Sequence, residues 1–249
     1  MTQNWLAALP VYNEAGTVSQ VLDEVVKYAP NVLAVDDGSK DGTKDILQAR
    51  NDIEVVRHDT NLGYGAALQS VFRFAIENRF DFVVTLDCDG QHQPMRIPRF
   101  VAACEQVDIV SGSRYLKQYD GDSDPPADRL FVNRQITKRI NDLFSWNLTD
   151  TFCGFKCYRV SALKRLSITE NGYAMPLELW TQAAMLGLSI LEIPVPLIYL
   201  DETRSFGGAL DNSGVRMAHY NDVIDRSIEV LRERGFVLPT GHTSYCREC

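Results

Sequence analysis

Residues 80–92 read FDFVVTLDCDGQH, and the fold turns on them. Phe82-Val83-Val84-Thr85-Leu86 is apolar and β-branched, which predicts a buried strand. The run stops at Asp87-Cys88-Asp89-Gly90-Gln91-His92. Carboxylates at the carboxyl end of a buried strand face the crevice where open α/β sheets bind ligands. Their hard oxygens suit Mg2+ or Mn2+. Gly90 is placed to let the chain break from the strand there. The plainer alternative is a polar loop that merely follows a strand.

Strand and helix alternate on both sides of this stretch. Residues 5–9 read as a strand ending at Pro10-Val11-Tyr12-Asn13-Glu14, and residues 15–28 carry helical spacing at Val18, Val21, Leu22, Val25 and Val26. Residues 31–35 are a strand ending in Asp36-Asp37-Gly38-Ser39, followed by a helix over 43–50 and a strand over 53–57. Asn61-Leu62-Gly63-Tyr64-Gly65 is a glycine-rich turn that opens a helix over 66–77. Beyond the acidic turn come a helix over 94–105 and a strand over 108–111, leading to Gly112-Ser113-Arg114. This alternation with short links predicts an α/β fold with a mostly parallel sheet and helices on both faces.

The pattern changes after Arg114. Residues 115–128 are acidic, bear Gly and Pro and lack a period, so they predict a mobile loop. Residues 130–144 predict a helix whose stripe is Val132, Ile136, Ile140, Leu143 and Phe144, flanked by Arg129, Arg134, Lys138 and Arg139. Such a helix can pack on the body or rest on an anionic membrane surface. Residues 152–158 are strand-like, 175–186 form a helix carrying Glu178, and 203–208 a flexible turn before a last helix over 215–234. The reading is one domain, 1–235, with a nucleotide half (1–114) and an acceptor half (115–235), then a tail over 236–249.

Composition narrows the classes. At 249 residues and 45% hydrophobic, the chain can build a full core, and disorder is not expected. A net charge of −8 argues against a nucleic-acid binder working through a basic surface. No leader resembles a signal peptide and no window resembles a membrane span, so the six cysteines are expected reduced in the cytoplasm, with any membrane contact peripheral. His242, Cys246 and Cys249 fall one short of a closed zinc site, which predicts a frayed tail.

Four motifs in order resemble glycosyltransferase family 2: Pro10-Val-Tyr-Asn-Glu14, Asp36-Asp-Gly-Ser-Lys-Asp-Gly-Thr43, Asp87-Cys-Asp-Gly-Gln-His92 and Gly112-Ser-Arg114. Asp-x-Asp-Gly-Gln-His, Gly154-Phe-Lys156 and the lone Glu178 are most similar to the dolichol- and polyprenol-phosphate branch. The resemblance implies the GT-A fold, a nucleotide-sugar donor and inversion at the anomeric carbon. It implies Asp87, Asp89 and Gln91 as ligands of Mg2+ or Mn2+, with Asp87 able to take ribose instead. Pro10, Tyr12, Asn13, Glu14, Asp36, Asp37 and Gly63 would hold the nucleotide. Arg114, Arg134 and Arg204 are candidates for phosphate oxygens, which guanidinium binds bidentately. Arg204 opens Arg-Ser-Phe-Gly-Gly-Ala, where the lipid branch has an Arg before Gly-x-Ser-Lys. Asp89, Arg114 and Glu178 are the catalytic expectations, Glu178 as base for a hydroxyl acceptor. His92 is a base by type and a supporting residue by position.

The function expected is transfer of a sugar from a UDP- or GDP-linked donor, with a polyprenyl phosphate as one acceptor. Rivals are a soluble sugar or protein hydroxyl as acceptor, a nucleotidyltransferase making the activated sugar, and a non-catalytic nucleotide-sugar-binding module. Oligomeric state is not legible in the sequence.

Overall fold

The strand β1 (Trp5–Val11) occupies the middle of the first half, and six of its seven residues are buried. The computed structural model describes residues 4–200, 205, 207–237 and 245–246. Both faces of β1 carry apolar side chains, so the strand must be covered on both sides. Leu6 and Ala8 join one core, and Ala7, Leu9 and Val11 the other. The first core is closed by α3 (Tyr64–Glu77), α5 (Ala127–Phe144), α7 (Met175–Met185) and α8 (Ser213–Glu233). The second is closed by α1 (Val18–Val25), α2 (Thr43–Gln48) and α4 (Ile97–Cys104). α7 is buried at all eleven positions, which fits a helix that is apolar nearly all round.

β2 (Val32–Asp36), β3 (Glu54–Arg57) and β4 (Phe82–Thr85) pair parallel with the β1 system. β5 (Ile109–Ser113), β6 (Lys156–Arg159), β7 (Ile190–Pro194) and β8 (Tyr245–Cys246) complete one sheet in the order β3-β2-β1-β4-β6-β5-β7-β8. Among the described strands only β6 runs against its neighbours, β4 and β5. The chain walks outward from β1 to β3, then α3 carries it back to β4 on the other side of β1. That reversal is a topological switch point, and the crevice beyond the strand ends is where such sheets bind ligands.

Several expected elements are trimmed. α1 starts at Val18 rather than at residue 15, because the Glu14 carbonyl accepts from the Thr17 and Val18 N–H groups in a turn. β6 starts at Lys156, and the residues before it form a turn instead of strand. α6 (Val160–Leu163) is a short helix with no sequence expectation behind it.

The 115–128 loop is tied down rather than loose. Asp122 accepts from the N–H groups of Tyr119 and Leu197 at 2.7 and 2.9 Å, and the Ser123 N–H donates to the Leu197 carbonyl at 2.8 Å. α5 packs on the body: Val132, Ile136, Ile140 and Phe144 are buried, each contributing about 2 kcal/mol. Its apolar stripe is therefore not presented to a membrane, though Phe131 stays 56% exposed. In the expected tail, Tyr245–Cys246 pairs with Ile190 and Leu191 instead of fraying. His242 and Cys249, and half of the turn expected at 203–208, lie outside the described residues. No helix among the described residues is long and apolar enough to cross a membrane.

Candidate active site

A cleft of about 880 Å3 opens at the carboxyl ends of β1 and β4 and runs toward α5 and α8. Its first wall is the turn after β1. Asn13 sits in the left-handed region at φ 54°, a conformation Asn tolerates. Its N–H donates to Ser39 Oγ, and its side-chain oxygen accepts from the Lys40 N–H, both at 2.9 Å. The Glu14 N–H donates to Thr43 Oγ1 at 2.9 Å. The turn is thus clasped to the loop after β2, and Pro10, Tyr12, Asn13 and Glu14 all line the cleft. Tyr12 is 41% exposed, so its ring is open to stacking.

Asp36 and Asp37 part company. Asp37 lines the cleft, and its carboxylate accepts from the Leu62 and Gly63 N–H groups at 2.9 and 2.8 Å and faces His58 Nδ1 at 2.7 Å. It shapes the turn over 61–63 as well as facing the ligand space. Asp36 is buried away from the cleft, pairs with Arg57 and accepts from the Ser39 N–H at 2.9 Å. Its expected nucleotide contact is replaced by a structural one, because neighbouring residues at a strand end point opposite ways. Gly63 also lines the cleft. A Cβ there would stand 2.3 Å from the Asn171 carbonyl oxygen, so close packing demands glycine at this point.

The acidic turn forms the floor. Asp87, Cys88, Asp89 and Gln91 all line the cleft, and the chain turns at Gly90 with φ 77°. Tyr64 donates its hydroxyl to Asp87 Oδ1 at 3.1 Å, and Asp89 Oδ1 accepts from the Gln91 N–H at 3.0 Å. Opposing influences act on the buried His92 ring. Burial disfavours its charge, while Cys153, Asp87 and Asp89 favour it and would carry its pKa up to about 9. The Asp87 N–H, however, donates to Nδ1 at 3.0 Å, and a doubly protonated ring has no lone pair there to accept it. That bond fixes the neutral ring with its proton on Nε2, and makes His92 a support for the turn. Among the described residues no three His, Cys, Asp or Glu side chains converge on one metal point. The protein donors present are two carboxylates and an amide, which fits Mg2+ or Mn2+ completed by phosphate oxygens and water.

The far end of the cleft is basic. Arg114 follows β5 and is clamped by Asp150: Nε donates to Oδ2 at 2.6 Å and Nη2 to Oδ1 at 3.0 Å. Asn133 also donates to Oδ1, at 2.9 Å. Burial pushes the Asp150 carboxyl up, but the Arg114 guanidinium and the Asn133 amide hold it below the usual carboxylate range. Nη1 of Arg114 has no hydrogen-bond partner among the described residues. Arg129 and Arg216 share this end of the cleft. Arg129 lies over the Tyr199 ring at 5.9 Å, and Arg216 pairs with Asp128 at 2.7 Å.

Two further expectations fail, and a third cannot be placed. Glu178 is 7% exposed and does not line the cleft. It borders a separate hollow of about 410 Å3 between α7 and α8. Its carboxylate accepts from the N–H groups of Thr169 and Glu170, from Thr169 Oγ1 and from Gln182 Nε2, at 2.7–3.1 Å. Four donors make it a clamp on the loop before α7. Arg134 is exposed on α5, one residue and about 100° round from Asn133, and lies outside the cleft. Arg204 lies outside the described residues. Conversely, Tyr64, Arg129, Asp150 and Arg216 went unassigned. Arg129 and Asn133 stand four apart on α5, a spacing that puts them on one face and was available in the sequence.

The architecture is that of the GT-A fold. The glucosyl-3-phosphoglycerate synthase of Mycobacterium tuberculosis, solved in complex with phosphoglyceric acid, superposes with a TM-score of 0.67 at 18% identity, over 92% of this chain and 81% of that one. Residues 7–167 match the model for glycosyl transferase family 2, and the chain belongs to that family. It is a glycosyltransferase. It is 29% identical over 229 residues to the undecaprenyl-phosphate mannosyltransferase of Micrococcus luteus, covering 86% of this chain and 93% of that protein. It is 28% identical over 229 residues to the UDP-N-acetylglucosamine–dolichyl-phosphate N-acetylglucosaminyltransferase of Methanococcus voltae, covering 80% and 87%.

Proposed function

We propose that this glycosyltransferase moves one sugar from a nucleoside-diphosphate donor to a polyprenyl phosphate, with inversion at the anomeric carbon. The observation that carries the reading is the division of one cleft. The acidic turn lies at one end, and Arg114, Arg129 and Arg216 gather at the other, in a chain of net charge −8. Guanidinium groups are suited to phosphate oxygens. Glu178, the carboxylate expected to serve as base, is engaged elsewhere. A phosphate acceptor carries its own negative oxygen and needs no base. The undecaprenyl-phosphate and dolichyl-phosphate relatives agree with this acceptor.

Pro10, Tyr12, Asn13, Glu14, Asp37 and Gly63 would wall the nucleotide. Three of the roughly four acceptor positions on the Asp37 carboxylate are taken, which leaves one for ribose or base. Asp87, Asp89 and Gln91 would hold Mg2+ or Mn2+, which when bound supplies positive charge against the departing diphosphate. An acceptor phosphate oxygen forms the new bond to the anomeric carbon from the face opposite the donor. The bond from that carbon to the diphosphate oxygen breaks, and its electron pair leaves with the nucleoside diphosphate. Arg114, fixed by Asp150, offers Nη1 to a phosphate oxygen. Leu200 lines the cleft and is 66% exposed, an apolar rim for the lipid chain. Peripheral contact with the cytoplasmic membrane face follows from such an acceptor.

The test is product analysis by mass spectrometry. The chain is incubated with UDP- and GDP-sugars, Mn2+, and either a short polyprenyl phosphate or the matching polyprenol. Glycosylated product is expected from the phosphate alone. Equal transfer to polyprenol or to a soluble hydroxyl overturns the acceptor. Pyrophosphate released from a nucleoside triphosphate would mark a nucleotidyltransferase, and binding without turnover a binding module.

A further inference from the structure

Lys156 is the buried charge that the scheme above leaves unused. It opens β6, is 2% exposed, and forms no ion pair among the described residues. Its ammonium donates to the Cys153 carbonyl and lies 5.4 Å from the centre of the Trp180 ring. Burial pushes its pKa down, and the nearby Cys153, Asp150 and Asp87 only partly restore it. A buried ammonium without a paired carboxylate is expensive, so something beyond stability selects it.

The structure points to what it holds. The three carbonyls of the turn before β6 are each tied to a different part of the protein. That of Cys153 accepts from Lys156, that of Gly154 from Thr85 Oγ1 at 2.9 Å, and that of Phe155 from the Gly112 N–H at 2.7 Å. Held so, Gly154 lies flat against the Asp87 carboxylate. A Cβ on Gly154 would stand 2.3 and 2.6 Å from its two oxygens. Asp87 is thus bounded by Tyr64 on one oxygen and by this turn, with Lys156 behind it.

We propose that Lys156 is a positioning residue for the acidic turn: it holds the 153–155 turn against Asp87 and so fixes the orientation in which that carboxylate meets a divalent cation carried with a nucleoside diphosphate. The inference rests on the donor reading above. Outer groups of this kind tune a metal site without touching the metal.

Calorimetric titration of UDP and GDP, each with Mn2+ and with EDTA, measures how much the cation tightens nucleotide binding. In Lys156→Met, which keeps the apolar stem, that factor is expected to fall about tenfold while binding in EDTA is unchanged. Lys156→Arg restores the charge and should recover most of the loss. Gly154→Ala pushes a methyl group at Asp87 with Lys156 in place and should lose the factor equally, with the double variant no worse than either single one. A lower melting point with the Mn2+ factor intact would make Lys156 a structural stitch and overturn the proposal. Should Lys156→Met not fold, an unchanged factor in Gly154→Ala overturns it alone. A wild-type chain that binds neither nucleotide with Mn2+ overturns this inference and the donor reading together; binding by wild type and variants alike overturns only this one.

Discussion

The two ends of the cleft are built by different means. At the acidic end each contribution comes from a short run of chain at a strand end or a helix start: 10–14, 37, 61–64 and 87–91. Parallel pairing sets these runs side by side; Val11 registers with Asp36, and Ala8 with Thr85. Backbone hydrogen bonds of the sheet do the placing. At the basic end Arg114, Arg129, Tyr199 and Arg216, with Asp150 behind Arg114, come singly from separated parts of the sequence. Side-chain bonds do the placing there, chiefly Arg114 to Asp150 and Arg216 to Asp128. An end set by the sheet tolerates little change in type. An end set by pairs of side chains can be rebuilt without altering the sheet.

The widest gap between the two ends should appear on removing one carboxylate from each. On the proposed scheme Asp89→Ala is expected to lower turnover at least about a thousandfold, because charge on the leaving diphosphate would be left uncompensated. Its melting temperature should move little, since Asp89 faces the cleft rather than the core. Initial rates and a thermal melt together check this. Asp150→Ala should do the reverse in kind. It leaves the Arg114 guanidinium without its clamp and should cost about 3–5 kcal/mol of stability in urea unfolding. The same residue predicts a pH dependence. Its folded pKa lies below the unfolded value, so its contribution is fully present above about pH 4 and is lost as pH falls through the folded pKa. Wild type should weaken over that acid window, and Asp150→Asn should flatten that part of the curve.

This asymmetry also explains what could be read from the sequence. The alternation of strand and helix, the parallel sheet and most of the runs that line the acidic end of the cleft were legible because each signal is contiguous: an apolar run, then its polar end. Asp36 was misassigned because Asp36-Asp37 gives no local sign of which carboxylate turns inward to Arg57. Glu178 was misassigned for a related reason. Its partners, the Thr169 and Glu170 N–H groups, sit in a loop whose return to α7 is a tertiary event. Asp150 and Arg216 escaped notice because their ion-pair partners, Arg114 and Asp128, stand 36 and 88 positions away.

Glu178 offers a sharper cut. If it clamps a loop, Glu178→Gln should turn an amide N–H toward backbone donors and cost about 1–3 kcal/mol, while kcat per folded molecule stays unchanged. Urea unfolding and active-site-normalised rates measure both. A hundredfold lower kcat with undiminished stability would restore Glu178 as the base and bring a hydroxyl acceptor back into play.

The smallest expected difference lies between two arginines on α5. Arg129 lines the cleft beside Asn133, whereas Arg134 is exposed on another face of the helix. Arg129→Ala removes a charged donor from the space where the acceptor phosphate would lie. It should raise KM for the polyprenyl phosphate about tenfold, near 1.4 kcal/mol, with donor affinity untouched. Arg134→Ala should stay within about 0.5 kcal/mol in stability and alter neither KM. Both variants remove one positive charge from the same helix, so any general electrostatic attraction to an anionic lipid falls equally in the two. Only placement separates them. Equal rises in KM would mean that the helix works as a charged surface, and would dissolve the distinction between a built acceptor end and a merely basic one.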